Sequence, residues 1–148
     1  MHRSTNSIIA TFAMAAVSIV VAVVVAQPAS QPAGDKVVTP SGLTIITTAR
    51  GQGAQNNDTI FVLYSGKLTN GKIFDASSRH NNEPISFKLG TAVVIKGWDE
   101  GLLGMQVGEK RHLIVPPSLG YGERGRGADI PPNSTLEFDI ELVGLIRQ

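Results

Sequence analysis

Residues Thr59 to Phe74 read TIFVLYSGKLTNGKIF. Thr59 to Thr69 is rich in β-branched and aromatic residues. Ile60, Val62 and Tyr64 fall on one face of an extended chain, and Phe61 and Leu63 on the other. Asn70-Gly71 follows, the strongest short signal for a hairpin, and Lys72-Ile73-Phe74 returns from it. An antiparallel strand pair is therefore expected here. Leu136 to Ile146 (LEFDIELVGLI) repeats the pattern, with Leu136, Phe138, Ile140 and Leu142 opposed to Glu137, Asp139 and Glu141. Shorter β runs are expected at Leu43–Thr48, Ile85–Leu89 and Lys110–Val115, the last stopped by Pro116-Pro117. Gly51 to Asp58 reads as a turn-rich loop. Only Val94 to Met105 has apolar residues near helical spacing, at Val94, Trp98, Leu102 and Met105. Gly97, Gly101 and Gly104 weaken it, each by about 1 kcal/mol relative to Ala. The expected fold is α+β: a mainly antiparallel sheet with one short α-helix packed on it.

The chain ahead of this domain is a different polymer. Every charged side chain except Arg3, and all 16 glycines, lie at or beyond Gly34. Ser7 to Ala26 (SIIATFAMAAVSIVVAVVVA) is uncharged and follows Arg3 and the α-amino group. This is the pattern of a signal peptide, with small residues placed for a cut after Ala26. A run of about 20 apolar residues also suffices for an uncleaved membrane anchor. Either reading exports the remainder, and a membrane contact is expected only through this segment if it stays uncleaved. The expected organisation is 1–26 signal peptide or signal anchor, 27–35 flexible Gln/Pro/Ala/Ser linker, and 36–148 a single domain.

Composition narrows the chemistry. With 13 Lys+Arg against 12 Asp+Glu, nothing favours a nucleic-acid surface. The absence of cysteine removes disulfides, thiolate metal sites and a Cys nucleophile. Gly120-Tyr121-Gly122-Glu123-Arg124-Gly125 matches G-x-G-x-x-G, yet Pro116-Pro117 precedes it and no helical pattern follows, so a dinucleotide site is not expected. His2, His80 and His112 show no metal-ligand spacing, and His112 is expected on a strand surface. No serine sits in a nucleophile elbow. Asn57-Asp58-Thr59 and Asn133-Ser134-Thr135 are N-glycosylation sequons, relevant only in a glycosylating secretory route.

A specific resemblance runs through the domain. Leu63-Tyr64-Ser65-Gly66, Asn70 to Asp75, Val94 to Leu102, Met105 to Lys110, Gly120-Tyr121-Gly122 and Ile130 to Leu142 follow one another in an order and spacing that resemble the FKBP-type peptidyl-prolyl cis–trans isomerases. The blocks cover about Thr39 to Ile146. The resemblance implies an antiparallel sheet curled around one short helix, with an apolar pocket between them. It implies Trp98 as the pocket floor and Tyr64, Phe74, Val94, Ile95, Ile130 and Phe138 as its walls. The Ile95 backbone N–H and the Tyr121 hydroxyl would be donors to a substrate carbonyl. Asp75 would sit at the pocket edge, its carboxylate oriented by Tyr64. Asp75, Tyr121, Trp98 and Phe138 are then the candidate catalytic residues.

Such a pocket needs no cofactor, because rotation about an X–Pro bond makes and breaks no bond to the enzyme. Its partners would be proline-containing polypeptides and, by resemblance, macrolide immunosuppressants. No inserted chaperone domain or dimerisation extension is visible, so strong holdase activity is not expected; a monomer is expected. The rival function is a noncatalytic module of the same fold that holds proline peptides or a partner. Three departures from the family pattern stand out. Asp75 to Pro84 is about one residue longer, which leaves Arg79 as the only candidate arginine partner of Asp75. Ile85 replaces a common aromatic. Asp129 stands near the pocket mouth, with Arg124 and Arg126 nearby, and predicts a mild preference for basic residues beside the substrate proline.

Overall fold

The computed structural model describes residues 35–47 and 53–148. The signal segment, the linker up to Gly34, Thr48 and the start of the Gly51–Asp58 loop lie outside them. Among the described residues, seven strands form one antiparallel sheet: β1 Asp35–Val38, β2 Thr44–Thr47, β3 Thr59–Leu68, β4 Ile73–Ala76, β5 Ile85–Lys88, β6 Lys110–Val115 and β7 Leu136–Ile146. Their order is β1-β2-β6-β7-β3-β4, with β5 also on β3. One α-helix, α1 at Lys96–Gly101, crosses the inner face. The α+β fold with a mainly antiparallel sheet is as expected.

The long strands behave as their alternation demands. In β7 Leu136, Phe138, Ile140 and Leu142 are buried and Glu137, Asp139 and Glu141 face outward. Tyr64 pairs with Ile140 and Gly66 with Phe138, so the centre of β3 lies against the centre of β7. The hairpin after β3 is wider than a two-residue turn. The Gly71 N–H donates to the Leu68 carbonyl at 2.8 Å, Gly71 has φ +87°, and the β3–β4 register shifts between Gly66 and Lys67. Glycine takes that left-handed position at no steric cost.

β4 and β5 share one edge of β3. Ser65 pairs with Ala76 and Val62 with Ile85, and residues 77–84 leave the sheet between them. Tyr64 lies in the gap, where its N–H donates to Ser77 Oγ at 3.0 Å. The side chain thus supplies an acceptor that a continuous strand would have provided from its backbone.

Two elements differ from expectation. β1 is an edge strand whose four residues are all exposed, so it carries no burial period for sequence reading to find. The helix ends at Gly101, well short of Met105. Leu102 and Met105 are fully buried but belong to the turn after it. There Gly104 has φ +73°, its N–H donates to the Ala54 carbonyl at 2.7 Å, and Ala54 N–H donates to Met105 at 2.8 Å. Arg111 Nη1 takes the carbonyls of Gly101 and Leu103 at 2.8 and 2.7 Å and so caps the helix end. Arg111 is buried, and its Nε bonds Glu109 Oε1 at 2.6 Å. Glu109 is satisfied in turn by Thr47 Oγ1 and by the Gln106 N–H at 2.7 Å. Removing one member of such a buried pair costs about 3–5 kcal/mol, because the other charge stays buried.

The helix glycines have a steric reason. A Cβ on Gly97 would lie 2.6 Å from Val115 Cγ1, and one on Gly101 would lie 2.7 Å from Leu113 Cδ1. These two glycines make the helix face flat, which lets β6 approach. Gly97→Ala is therefore expected to lower the midpoint of urea unfolding. The gain of about 1 kcal/mol in helix propensity is outweighed by about 1–3 kcal/mol of overpacking. An unchanged or raised midpoint would contradict this packing.

Candidate functional site

Between α1, the inner face of β3, β4 and β7, and the loop after β6 lies a cavity of about 170 Å³. Trp98 is its floor, 4% exposed, with its indole Nε1 buried and without a partner among the described residues. Tyr64 and Phe138 meet Trp98 edge-on, both with centroids 5.2 Å away, and Phe74 meets Phe138 edge-on at 5.6 Å. Phe87 packs 5.8 Å from Trp98. Linked rings in such offset geometry resist collapse into the space they surround.

The structure brings together Tyr64, Phe74, Asp75, Val94, Ile95, Trp98, Tyr121 and Phe138 around this one cavity, joined by Ile85, Val93 and Arg126. Ile130 stands one step aside. It is 3% exposed and lines an adjoining recess with Phe74, Asp75, Arg126 and Asp129. A larger groove, about 500 Å³, lies on the outer sheet face. Across its strands Lys110 pairs with Glu141 at 3.4 Å and His112 Nδ1 lies 2.7 Å from Asp139 Oδ1, and neither Trp98 nor any phenylalanine lines it. The smaller cavity carries the chemistry.

Each side chain is placed by a local cause. Ile95 is the extended residue before α1, and its carbonyl accepts from Trp98 N–H at 2.9 Å. Its own N–H has no partner among the described residues. Asp99, which sequence reading did not single out, accepts from Gly90 N–H at 2.8 Å and Ala92 N–H at 2.9 Å. That clamp holds Ala92 at φ +59° and sets Val93 and Val94 at the rim. An acidic residue on the first turn of a helix following Gly90 was its sequence signal.

Asp75 is the electrostatic centre. Tyr64 Oη donates to its Oδ2 at 2.7 Å, as the resemblance implied. Its Oδ1 accepts from the Ala76 N–H at 2.9 Å and lies 3.0 Å from His80 Nε2. Burial works against the charge, but the contacts from Tyr64, His80 and the Ala76 N–H outweigh it and hold the carboxyl below the usual aspartate range. Burial, followed by the hydrogen bond to Asp75, pushes the Tyr64 phenol well above its ordinary value.

Arg79 is not the partner of Asp75. Its Nη1 and Nη2 donate to the carbonyls of Phe74 and Ile73 at 2.9 and 3.0 Å. The 3₁₀ turn Ser77–Arg79 turns Arg79 back along β4 and leaves His80 to meet the carboxylate. Asp129 and Arg126 both line the recess that adjoins the cavity. Asp129 is held by Lys72 at 3.1 Å, and the cation in the cavity wall is Arg126.

Comparison with known proteins is consistent across sequence and structure. The family model for FKBP-type peptidyl-prolyl cis-trans isomerases matches residues 51–143. The chain is 56% identical over 91 residues to FK506-binding protein 2 of Candida glabrata, covering 61% of this chain and 66% of that protein. It is 52% identical over 107 residues to FK506-binding protein 1A of Neurospora crassa, covering 70% and 88%. The chain spans just under two thirds of the Candida glabrata protein and of its Yarrowia lipolytica counterpart, 66% and 65%. Among solved structures, AtFKBP13 superposes with a TM-score of 0.67 at 42% identity, covering 76% of this chain and 99% of that one. FkpA from Escherichia coli gives 0.66 at 42% identity, covering 74% and 51%.

The lowered Asp75 titration has a defined sign. Its ionised form adds stability above the unfolded carboxyl value, and that contribution is lost as the pH falls through the lower folded value. Carbon-detected NMR titration is expected to place the Asp75 midpoint below that of an unfolded aspartate. Tyr64→Phe, which removes one donor, is expected to raise it. A midpoint unmoved by Tyr64→Phe would show that the hydroxyl does not hold the carboxylate.

Proposed function

The chain belongs to the FKBP-type peptidyl-prolyl cis-trans isomerase family, and on that premise we propose that it accelerates rotation about X–Pro bonds in other polypeptides. The observation that carries this reading is the convergence on one cavity of the Trp98 floor, the aromatic walls, the Ile95 residue whose N–H has no partner among the described residues, and the Tyr121 hydroxyl.

An X–Pro amide exchanges over tens to hundreds of seconds against a barrier of about 18–20 kcal/mol. Reaching about 100 turnovers per second requires about 5–6 kcal/mol of differential stabilisation. The planar amide is more dipolar than the twisted one, so moving it from water onto Trp98, Phe74 and Phe138 favours the twisted state. Ile95 N–H and Tyr121 Oη meet the substrate carbonyl and hold the carbonyl side while the prolyl ring rests on the indole. Asp75 stands at the pocket edge as a fixed negative charge, kept in place by Tyr64. No covalent intermediate is required. The same walls suit macrolides of the FK506 type as competitive ligands. Exported folding work is the setting proposed for the domain, with Met1–Ala26 as the signal and a cut after Ala26, or with that segment retained as an anchor.

The discriminating assay is X–Pro peptide isomerisation by the protein and its variants. Trp98→Leu is expected to lower kcat/KM by about 10–100-fold, the loss of roughly 1.5–3 kcal/mol of aromatic contact. Asp75→Ala is expected to lower it less, mainly through kcat. A folded wild-type protein without acceleration that still binds proline peptides would make it a noncatalytic module. Mass spectrometry of the exported protein should find Gln27 at the N-terminus; an intact Met1 in a membrane fraction would select the anchor instead.

A further inference from the structure

Tyr121 carries the donor hydroxyl of the pocket, and the loop that follows it places Arg126 on that hydroxyl. Arg126 Nη1 lies 2.8 Å from Tyr121 Oη, and its guanidinium carbon lies 5.4 Å from the ring centroid. A guanidinium has donors only, so Tyr121 Oη must be the acceptor in this bond. The one phenolic proton is then excluded from the Arg126 side and is left for an acceptor in the cavity that both residues line. Donation from a charged group also polarises the O–H, which strengthens its own donation.

The loop is built to hold Arg126 still. Its N–H donates to the Ile130 carbonyl at 2.8 Å and its carbonyl accepts from Ile130 N–H at 3.2 Å. Gly125 and Gly127 flank it at φ +62° and +57°. A Cβ on Gly125 would lie 2.2 Å from the Ile130 carbonyl oxygen, so only glycine closes this turn. No carboxylate among the described residues forms an ion pair with Arg126, although Asp129 is close in sequence and is taken by Lys72. Among the described residues the guanidinium is thus held in no ion pair, and it donates to the phenol.

We propose that Arg126 is a positioning residue, which orients and polarises the Tyr121 hydroxyl toward the substrate carbonyl. The proposal rests on the isomerase reading of the cavity. It acts through Tyr121 and predicts a coupling between the two residues rather than a contact of Arg126 with the prolyl group.

A double-mutant cycle tests it, with kcat/KM on an uncharged X–Leu–Pro peptide as the readout. Arg126→Leu is expected to lower kcat/KM about five-fold in the wild-type background, the size of one hydrogen bond from a charged group partly exposed to water. In the Tyr121→Phe background the same substitution is expected to have no effect. Arg126→Gln, which keeps an N–H donor without the charge, should recover part of the loss. Equal losses in both backgrounds would overturn the proposal. A second readout needs no activity. The ¹⁵N-detected guanidinium signals of Arg126 should show slowed rotation in the wild type that is lost in Tyr121→Phe; free rotation in both would likewise overturn it. If the wild type is inactive while this coupling is present, the isomerase reading has failed and the Arg126–Tyr121 contact has not.

Discussion

The close seating of one six-residue helix on the sheet is the constraint from which the rest follows. Gly97 and Gly101 remove the side chains that would strike Val115 and Leu113. Arg111, fixed by the buried Glu109, takes up the carbonyls at the helix end. A helix this short has little stability of its own, since nucleation is costly and few bonds follow it. Packing and capping therefore keep it formed. Its position in turn decides where Trp98 lies, and Trp98 decides where a cavity can exist.

Once the floor is fixed, the remaining site is a matter of keeping space open and charges oriented. The edge-on rings of Tyr64, Phe138 and Phe74 brace one another. The Asp99 clamp holds the rim, and the turn around Arg126 holds the far wall. Asp75 is buried enough to feel the loss of water and keeps its charge because its oxygens meet Tyr64, His80 and the Ala76 N–H. The chemistry asked of this assembly is desolvation with a few fixed dipoles, a task for which neither a nucleophile nor a cofactor is needed.

Much of this was readable from the residues alone, and the gaps have physical causes. Alternation in β3 and β7 is strong because one face is buried and the other wet, so both strands were evident. β1 was not, because all four of its residues are exposed. The helix was read too long because Leu102 and Met105 are buried like helical residues while lying on the turn that follows. Ordered family blocks located nearly all of the cavity wall. They could not say whether Arg79 or His80 meets Asp75, since one extra residue is absorbed by a 3₁₀ turn with no sequence period. Arg126 lay outside every motif; sequence placed it only beside Asp129 near the mouth, and the glycines around it mark a turn with special backbone geometry.

On the proposed function, the Trp98-floored cavity is where an X–Pro bond turns. Two-dimensional exchange NMR of an X–Pro peptide with substoichiometric protein addresses it directly, combined with nuclear Overhauser contacts at stoichiometric protein. Exchange peaks between cis and trans proline signals are expected, together with contacts from the proline ring protons to the Trp98 indole. Contacts without exchange peaks, or exchange with the proline ring in contact with some other surface, would contradict it.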